Sequence, residues 1–252
     1  MNVVVITQAR SGSTRLPNKI LKEIQERSLL QIHVDRIKKA KLVSHIIIAT
    51  TTNKEDNKVE LLAKEFKVKY FRGSETDVLD RFYQAVKEVK PSYIVRLTSD
   101  CPLIDPLLID EVIKEALQRK LDYYTNVMDE LYPDGQDIEV FTFKALEKAW
   151  KEATLLSDRE HVTSYIRNNS TYKGGILFKS DNHGLKENYN QVRLTVDEPQ
   201  DFEVIKILVE QLGLDKDWRT YTDYYLGNKE ICMLNNKIIR NEGFLKSIKN
   251  NL

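Results

Sequence analysis

Between residues 10 and 19, in the run "RSGSTRLPNK", two arginines and a lysine surround one glycine flanked by serines. Arg10, Arg15 and Lys19 supply positive charge, and Ser13 and Thr14 supply neutral donors. Gly12, between Ser11 and Ser13, has no Cβ and lets backbone N–H groups approach an oxyanion closely. Arginine forks bind phosphate bidentately and lysine binds it as a point charge, so the set suits a polyphosphate. Neither G-x-x-x-x-G-K-[ST] nor G-x-G-x-x-G occurs here, which excludes a Walker A loop and a dinucleotide fingerprint. A nucleoside triphosphate is the ligand that best accounts for three cations; the alternative is a solvated basic turn. The charge has to be local, because 39 Lys+Arg against 38 Asp+Glu leave the 252-residue chain at +1. No global field draws it toward nucleic acid or an anionic membrane.

The loop needs a scaffold that presents it. Val3 to Ile6 is a short β-branched run of the kind buried on both faces of a parallel sheet. Leu30, Val34 and Ile37 follow at helical spacing, then "HIIIAT" (45–50) as a strand. Val59, Leu62, Ala63 and Phe66 mark a helix and "VKYF" (68–71) a strand. Val78, Leu79, Phe82, Val86 and Val89 mark another helix and "YIVRLT" (93–98) another strand. Asp105-Pro106 reads as an N-cap and helix-initiating proline before Leu108, Ile109, Val112, Ile113 and Ala116. Further on, "DYYTN", "IEVFTF", "GGILF" and "QVRLTVD" (191–197) read as strands. Ala145–Ala153, His161–Arg167 and the stripe from Phe202 to Leu212 read as helices, and a helical tail follows Gly213. Strands alternating with amphipathic helices predict a three-layer α/β/α fold on a mostly parallel sheet. The expected division is a catalytic α/β domain over 1–212 and a helical C-terminal extension over 213–252. No basic segment leads an apolar core at the N-terminus and no stretch is long enough to span a bilayer. Cys101 and Cys232 show no metal spacing and suggest buried thiols in a reducing compartment, so a cytoplasmic protein is expected.

The string "ITQARSGSTRLPNK" resembles the N-terminal signature of cytidylyltransferases that make CMP-activated acidic sugars. The CMP-3-deoxy-manno-octulosonate synthetases are one such group, and the spore coat polysaccharide biosynthesis protein F group is closer still. "GSETDVLDRFYQA", "VRLTSDCPLIDP", "GQDIEVFTFKALEKA", "DREHVTSYI", "VRLTVDEPQDFEVI" and "NNKIIRNEG" extend the resemblance over most of the chain. It implies a nucleotide-diphospho-sugar-transferase-like fold, magnesium, a homodimer, and the reaction CTP + acceptor → CMP-acceptor + pyrophosphate. It implies that Arg10, Ser13, Arg15 and Lys19, with Ala9, Ser11 and Gly12, hold the triphosphate, Arg15 and Lys19 acting catalytically. It also implies that Asp100 and Asp197 bind magnesium. The chemistry agrees, since that ion is usually held by one or two carboxylates plus phosphate oxygens. Read as structure alone, Asp100 caps a turn before Pro102 and Asp197 caps the helix opened by Pro199.

The same resemblance makes Arg72, Asp77 and Arg81 candidates for base and ribose contacts, against the plainer roles of helix cap and surface cation. Gln136, Asp137 and Glu139 are candidates to face the acceptor. Strand alternation puts Asp137 and Glu139 on one face, although a solvated strand edge would read the same way. Arg159 and His161 are acceptor-pocket candidates, and a lone histidine is also an ordinary structural residue. Gln8, Cys101-Pro102 and the tail after residue 213 depart from the octulosonate synthetases, which widens the acceptor to another acidic or amino sugar or a phosphorylated small molecule. A metal-dependent nucleotide-sugar glycosyltransferase of the same layout is the alternative enzyme, and a catalytically silent partner protein the alternative outside enzymes.

Overall fold

The computed structural model describes residues 2–242. The first apolar run forms β1 (Val3–Gln8), which extends past Ile6 because Thr7 and Gln8 still pair with neighbours on both sides. A small hairpin of β2 (Glu23–Ile24) and β3 (Arg27–Ser28) follows the cationic loop. Then come α1 (Leu29–Ile37), β4 (His45–Thr51), α2 (Asn57–Glu65), β5 (Lys69–Gly73), α3 (Val78–Val86), β6 (Tyr93–Thr98) and α4 (Pro106–Arg119). The second half adds β7 (Tyr123–Thr125), β8 (Glu139–Thr142), α5 (Phe143–Glu152), α6 (Leu156–Glu160), α7 (Ser164–Asn168), β9 (Ser180–Asn182), α8 (Pro199–Leu212), α9 (Trp218–Gly227) and α10 (Lys229–Asn235).

Seven strands form one sheet in the order β5-β4-β1-β6-β8-β7-β9. The pairs are parallel except those made by β8, which runs antiparallel to β6 and β7. Successive side chains of a strand face opposite sides, and both sides are buried here. Val3 and Val5 pack with Ile109, Val112 and Ile113 of α4, while Val4 and Ile6 pack with Leu79 and Phe82 of α3. That is the three-layer arrangement expected from the alternation. The chain runs from β1 outward through β4 and β5, then crosses to β6 on the other side of β1. The switch between β1 and β6 is where open α/β sheets bind ligands, and the cationic loop and Asp100 both leave the sheet there.

Three expected elements differ. "QVRLTVD" is extended, but it makes one isolated bridge, Asp134 to Arg193, instead of a strand. Its alternation is real, because Val192, Leu194 and Val196 pack against α8; no neighbouring strand runs alongside, and single bonds from Leu194 N to Asp134 O and Val196 N to Asp100 O replace a ladder. "GGILF" is a loop with Ile176 91% exposed, and the strand lies at β9, beyond it. Gly174, in the left-handed region, turns the chain, and the run pairs through an isolated bridge, Phe178 to Ser170, instead of a strand. Of the helix expected over His161–Arg167 only the part from Ser164 forms, in α7; α6 ends at Glu160, and Val162, whose φ is 59°, separates the two.

Beyond Gly213 the chain is helical, as expected, in α9 and α10; the part of that extension over 243–252 lies outside the described residues. Tyr221, Tyr225 and Ile231 of these helices share one apolar cluster with α8. Asp105 holds both ends of this arrangement, since one oxygen caps α4 at Leu107 N and the other accepts from Trp218 N at 2.7 Å. Cys101 is buried as expected, whereas Cys232 is half-buried.

Candidate active site

The cationic loop hangs from a buried carboxylate. Asp56 Oδ1 accepts both the N–H and the hydroxyl of Ser11, each at 2.7 Å, and its other oxygen accepts the Thr51 hydroxyl. Burial pushes the Asp56 pKa up, and these donors override it and hold it below the usual carboxylate range. Ser11 is therefore an anchor, and it does not line the cleft that its neighbours form. Ala9, Arg10, Gly12, Ser13, Thr14, Arg15 and Lys19 do line that cleft, which encloses about 940 Å³. A Cβ on Gly12 would meet nothing within 4 Å, so no contact within the protein requires glycine there.

At the inner end of the cleft one ammonium joins the two aspartates. Lys19 Nζ lies 2.9 Å from Asp100 and 2.8 Å from Asp197, with its side chain 13% exposed. Burial disfavours its charge, yet the two carboxylates more than offset that and raise its pKa; the same ammonium holds Asp100 well below the carboxylate range against the opposing effect of burial. Arg15 reaches Asp197 at 3.1 Å and Glu198 at 3.3 Å. Asp197 does not cap the following helix. Glu198 is the N-cap of α8 and Asp201 completes a capping box, which leaves the Asp197 carboxylate in the cleft. Below Asp100, buried His33 bonds the Cys101 carbonyl at 2.8 Å and the Thr7 hydroxyl at 2.9 Å, and burial lowers its pKa to about 4.

The outer wall carries Asp77, Arg81 and Arg159. Asp77 caps α3 and receives the Arg159 guanidinium at 2.6 to 3.1 Å. Arg81 donates to the Ser74 carbonyl at 2.9 Å; burial, then the charge of Arg10, lowers its pKa to about 10. Arg72 is not brought to the cleft. Its guanidinium is spent on the Thr51 and Asn53 carbonyls, Asn57 and Glu60.

A second cavity of about 260 Å³ opens on the other side of the aspartates and shares Arg15, Thr98, Asp100, His161 and Asp197 with the first. Asp137 and Glu139 both line it, as alternation predicts. Gln136 does not. Its amide is fully buried and braces the Asp105 N–H and the Leu103 carbonyl, each at 2.9 Å. Gly135 beside it has a φ of 107°, and a Cβ there would come within 2.7 Å of the Leu194 backbone, so glycine lets this turn pack on the segment that leads to Asp197. His161 faces both cavities, with its pKa lowered to about 4 by burial and then by Arg96 and Arg167. Val162 beside it is a buried β-branched residue in left-handed backbone, a conformation that costs about 1–3 kcal/mol.

Several residues of the second cavity escaped the sequence reading. Arg96 pairs with Glu139, and its buried Nε has no hydrogen-bond partner among the described residues. Arg167, Asp134, Thr195 and Glu242 also line the cavity. Arg193 lies behind it and binds Asp134 at 2.7 Å, Asp197 at 3.0 Å and Asp201 at 2.8 Å. A signal existed for two of these: Arg96 and Arg193 each interrupt an apolar run, and a buried arginine needs carboxylate partners.

Asp100 and Asp197 converge on one point charge through hard oxygen donors, which fits an ion that also takes phosphate oxygens and water. Among the described residues no group of three or more His, Cys, Asp or Glu could hold a metal, so a divalent ion here would depend on the nucleotide for its other ligands.

Residues 4–231 match the family model described as cytidylyltransferase. An uncharacterized protein of Methanocaldococcus jannaschii is 40% identical over 239 residues, covering 94% of this chain and 96% of that protein. The spore coat polysaccharide biosynthesis protein SpsF of Bacillus subtilis is 34% identical over 224 residues, covering 84% of this chain and 88% of SpsF. The solved structure of a cytidylyltransferase from Leptospira borgpetersenii superposes with a TM-score of 0.87 at 33% identity, covering 95% of this chain and all of that one.

Proposed function

The chain belongs to the cytidylyltransferase family and is a CTP-dependent nucleotidyltransferase; from that premise we propose that it transfers CMP from CTP to an acidic sugar or a phosphorylated small molecule, with release of pyrophosphate, for surface polysaccharide synthesis. The observation that carries this is the junction of the two cavities. The cationic loop enters it through Arg15 and Lys19, and the carboxylates Asp100 and Asp197 face both sides.

The triphosphate lies along Arg10, Gly12, Ser13, Arg15 and Lys19, with the nucleoside toward Asp77, Arg81 and Arg159. The acceptor occupies the second cavity, among Asp137, Glu139, His161 and Arg96. An acceptor oxygen, either a phosphate oxyanion or a hydroxyl that gives up its proton to solvent, attacks the α-phosphorus in line, the new O–P bond forms, and the bond from the α-phosphorus to the oxygen bridging the β-phosphate breaks. Arg15 and Lys19 neutralise the charge that gathers on the departing pyrophosphate. Asp100 and Asp197 would be the residues to hold magnesium, which when bound would supply further neutralisation of the phosphate charge. His161, neutral down to about pH 4, keeps the junction free of another positive charge at neutral pH. Most of the rate then comes from positioning two reactants on either side of a shared row of side chains.

Among the described residues no helix is long and apolar enough to cross a membrane. The family resemblance supports a homodimer working in the cytoplasm, and sedimentation tests the first of these. The function is tested by calorimetry with CTP, UTP, ATP and GTP, each with magnesium and with EDTA, followed by an acceptor screen read as pyrophosphate release. CTP binding that weakens in EDTA is expected. A preference for UTP or for a nucleotide sugar would overturn the reading.

A further inference from the structure

The chain after α10 folds back over the second cavity, and three consecutive residues each hold a different part of it. Arg240 donates to Asp137 at 2.7 Å and to the Tyr132 carbonyl at 2.9 Å. Asn241 donates to Glu130 at 2.7 Å, and Glu242 stands 3.6 Å from Arg15. Asn241 and Glu242 themselves form part of the cavity wall. Asn241 has a φ of 58°, a conformation that asparagine tolerates better than most residues. Arg240 is 13% exposed; burial disfavours its charge, and Asp137, Asp134 and Glu130 more than restore it.

We propose that Arg240, Asn241 and Glu242 form a strap that closes the acceptor side of the site and sets which acceptor is accepted. The proposal rests on the reading of the second cavity as the acceptor's place. Arg240 orients Asp137 and so decides which hydrogen bonds an acceptor meets on that wall. Glu242 links the wall to the nucleotide loop, because it shares with Asp197 and Glu198 the same Arg15 that a triphosphate must engage. Nucleotide binding therefore draws Arg15 away from one of the strap's contacts, and the acceptor side adjusts when CTP arrives. None of the three is a catalytic residue in this account. They act by positioning others.

The test measures pyrophosphate release from CTP with magnesium for 3-deoxy-manno-octulosonate, N-acetylneuraminate, glucosamine and glucose 1-phosphate. Wild type, Arg240→Ala, Arg240→Lys and Glu242→Gln are compared, with CTP affinity measured alongside. Arg240→Ala should raise the KM of the best acceptor about tenfold or change the order of the panel, with the CTP Kd within twofold; this corresponds to about 1.4 kcal/mol. Arg240→Lys should recover part of the loss. Glu242→Gln, which keeps shape and packing, should tighten CTP about threefold by releasing Arg15. If Arg240→Ala keeps the wild-type KM and order, or fails to fold, and Glu242→Gln keeps the wild-type CTP affinity, the strap is overturned while acceptor turnover by wild type leaves the cavity reading standing. Wild type that binds CTP yet turns over none of the four overturns the cavity reading and the strap with it.

Discussion

The cavity we assign to the nucleotide and the one we assign to the acceptor share Arg15, Thr98, Asp100, His161 and Asp197 but are assembled in opposite ways. On the nucleotide side, Arg10, Arg15 and Lys19 come from ten consecutive residues tied to the body of the protein at Ser11 and Asp56, and only Arg81 and Arg159 on the outer wall come from elsewhere among the described residues. The loop's partners are partly wet: Arg10 and Glu75 are 54% and 45% exposed, so exchanging the glutamate for a phosphate costs little. The acceptor side draws Arg96, Asp134, Glu139 and Arg167 from separate segments, and its carboxylates Glu139 and Asp134 are paired in the interior with Arg96 and Arg193. Arg193 and Asp201, for instance, are 6% and 0% exposed. Breaking a buried pair is expensive, so this side is a framework more than a set of exchangeable contacts. One side is built to trade partners and the other to hold a shape.

The comparison can be broken most directly at Arg193. Arg193→Met leaves Asp134, Asp197 and Asp201 without their shared cation and should cost about 3–5 kcal/mol, a fall in Tm of roughly 6–20 °C. A melt within 2 °C of wild type would show that the acceptor-side charges do not form a framework. Lys19→Met tests the shared junction. Turnover at saturating CTP and magnesium should fall about 10²–10³-fold, as for loss of one group that stabilises transition-state charge, and a loss under tenfold would remove Lys19 from the catalytic set.

Smaller effects sharpen the division between the sides. Arg96→Ala should raise the acceptor KM about tenfold and leave the CTP KM unchanged; equal changes in both would mean that the cavities do not take separate substrates. Arg72→Ala should leave the CTP Kd within twofold and cost about 1 kcal/mol in a denaturant melt, because its guanidinium serves the β4–α2 connection alone. Weaker CTP binding there would restore the nucleotide role that the resemblance implied.

The cationic loop and the scaffold that presents it were legible in the amino-acid sequence because their parts are contiguous. A β-branched run, a loop of three cations around Gly12, and helices at a period of 3.6 residues are local patterns, and local backbone preferences with two-sided burial turn them into β1, the loop and a three-layer fold. Asp137 and Glu139 were legible for the same reason, since alternation alone puts them on one wall. What only the tertiary structure decided are the relations between distant segments. Asp197 lost the role of helix cap because Glu198 and Asp201 satisfy the N-terminus of α8, and that freed its carboxylate for Lys19, which lies 178 positions away. Ser11, Arg72 and Gln136 look like ligand contacts as residue types. Asp56, the β4–α2 connection and the Leu103–Asp105 turn claim them instead, because their polar groups are held by partners within the fold and turned away from the cleft.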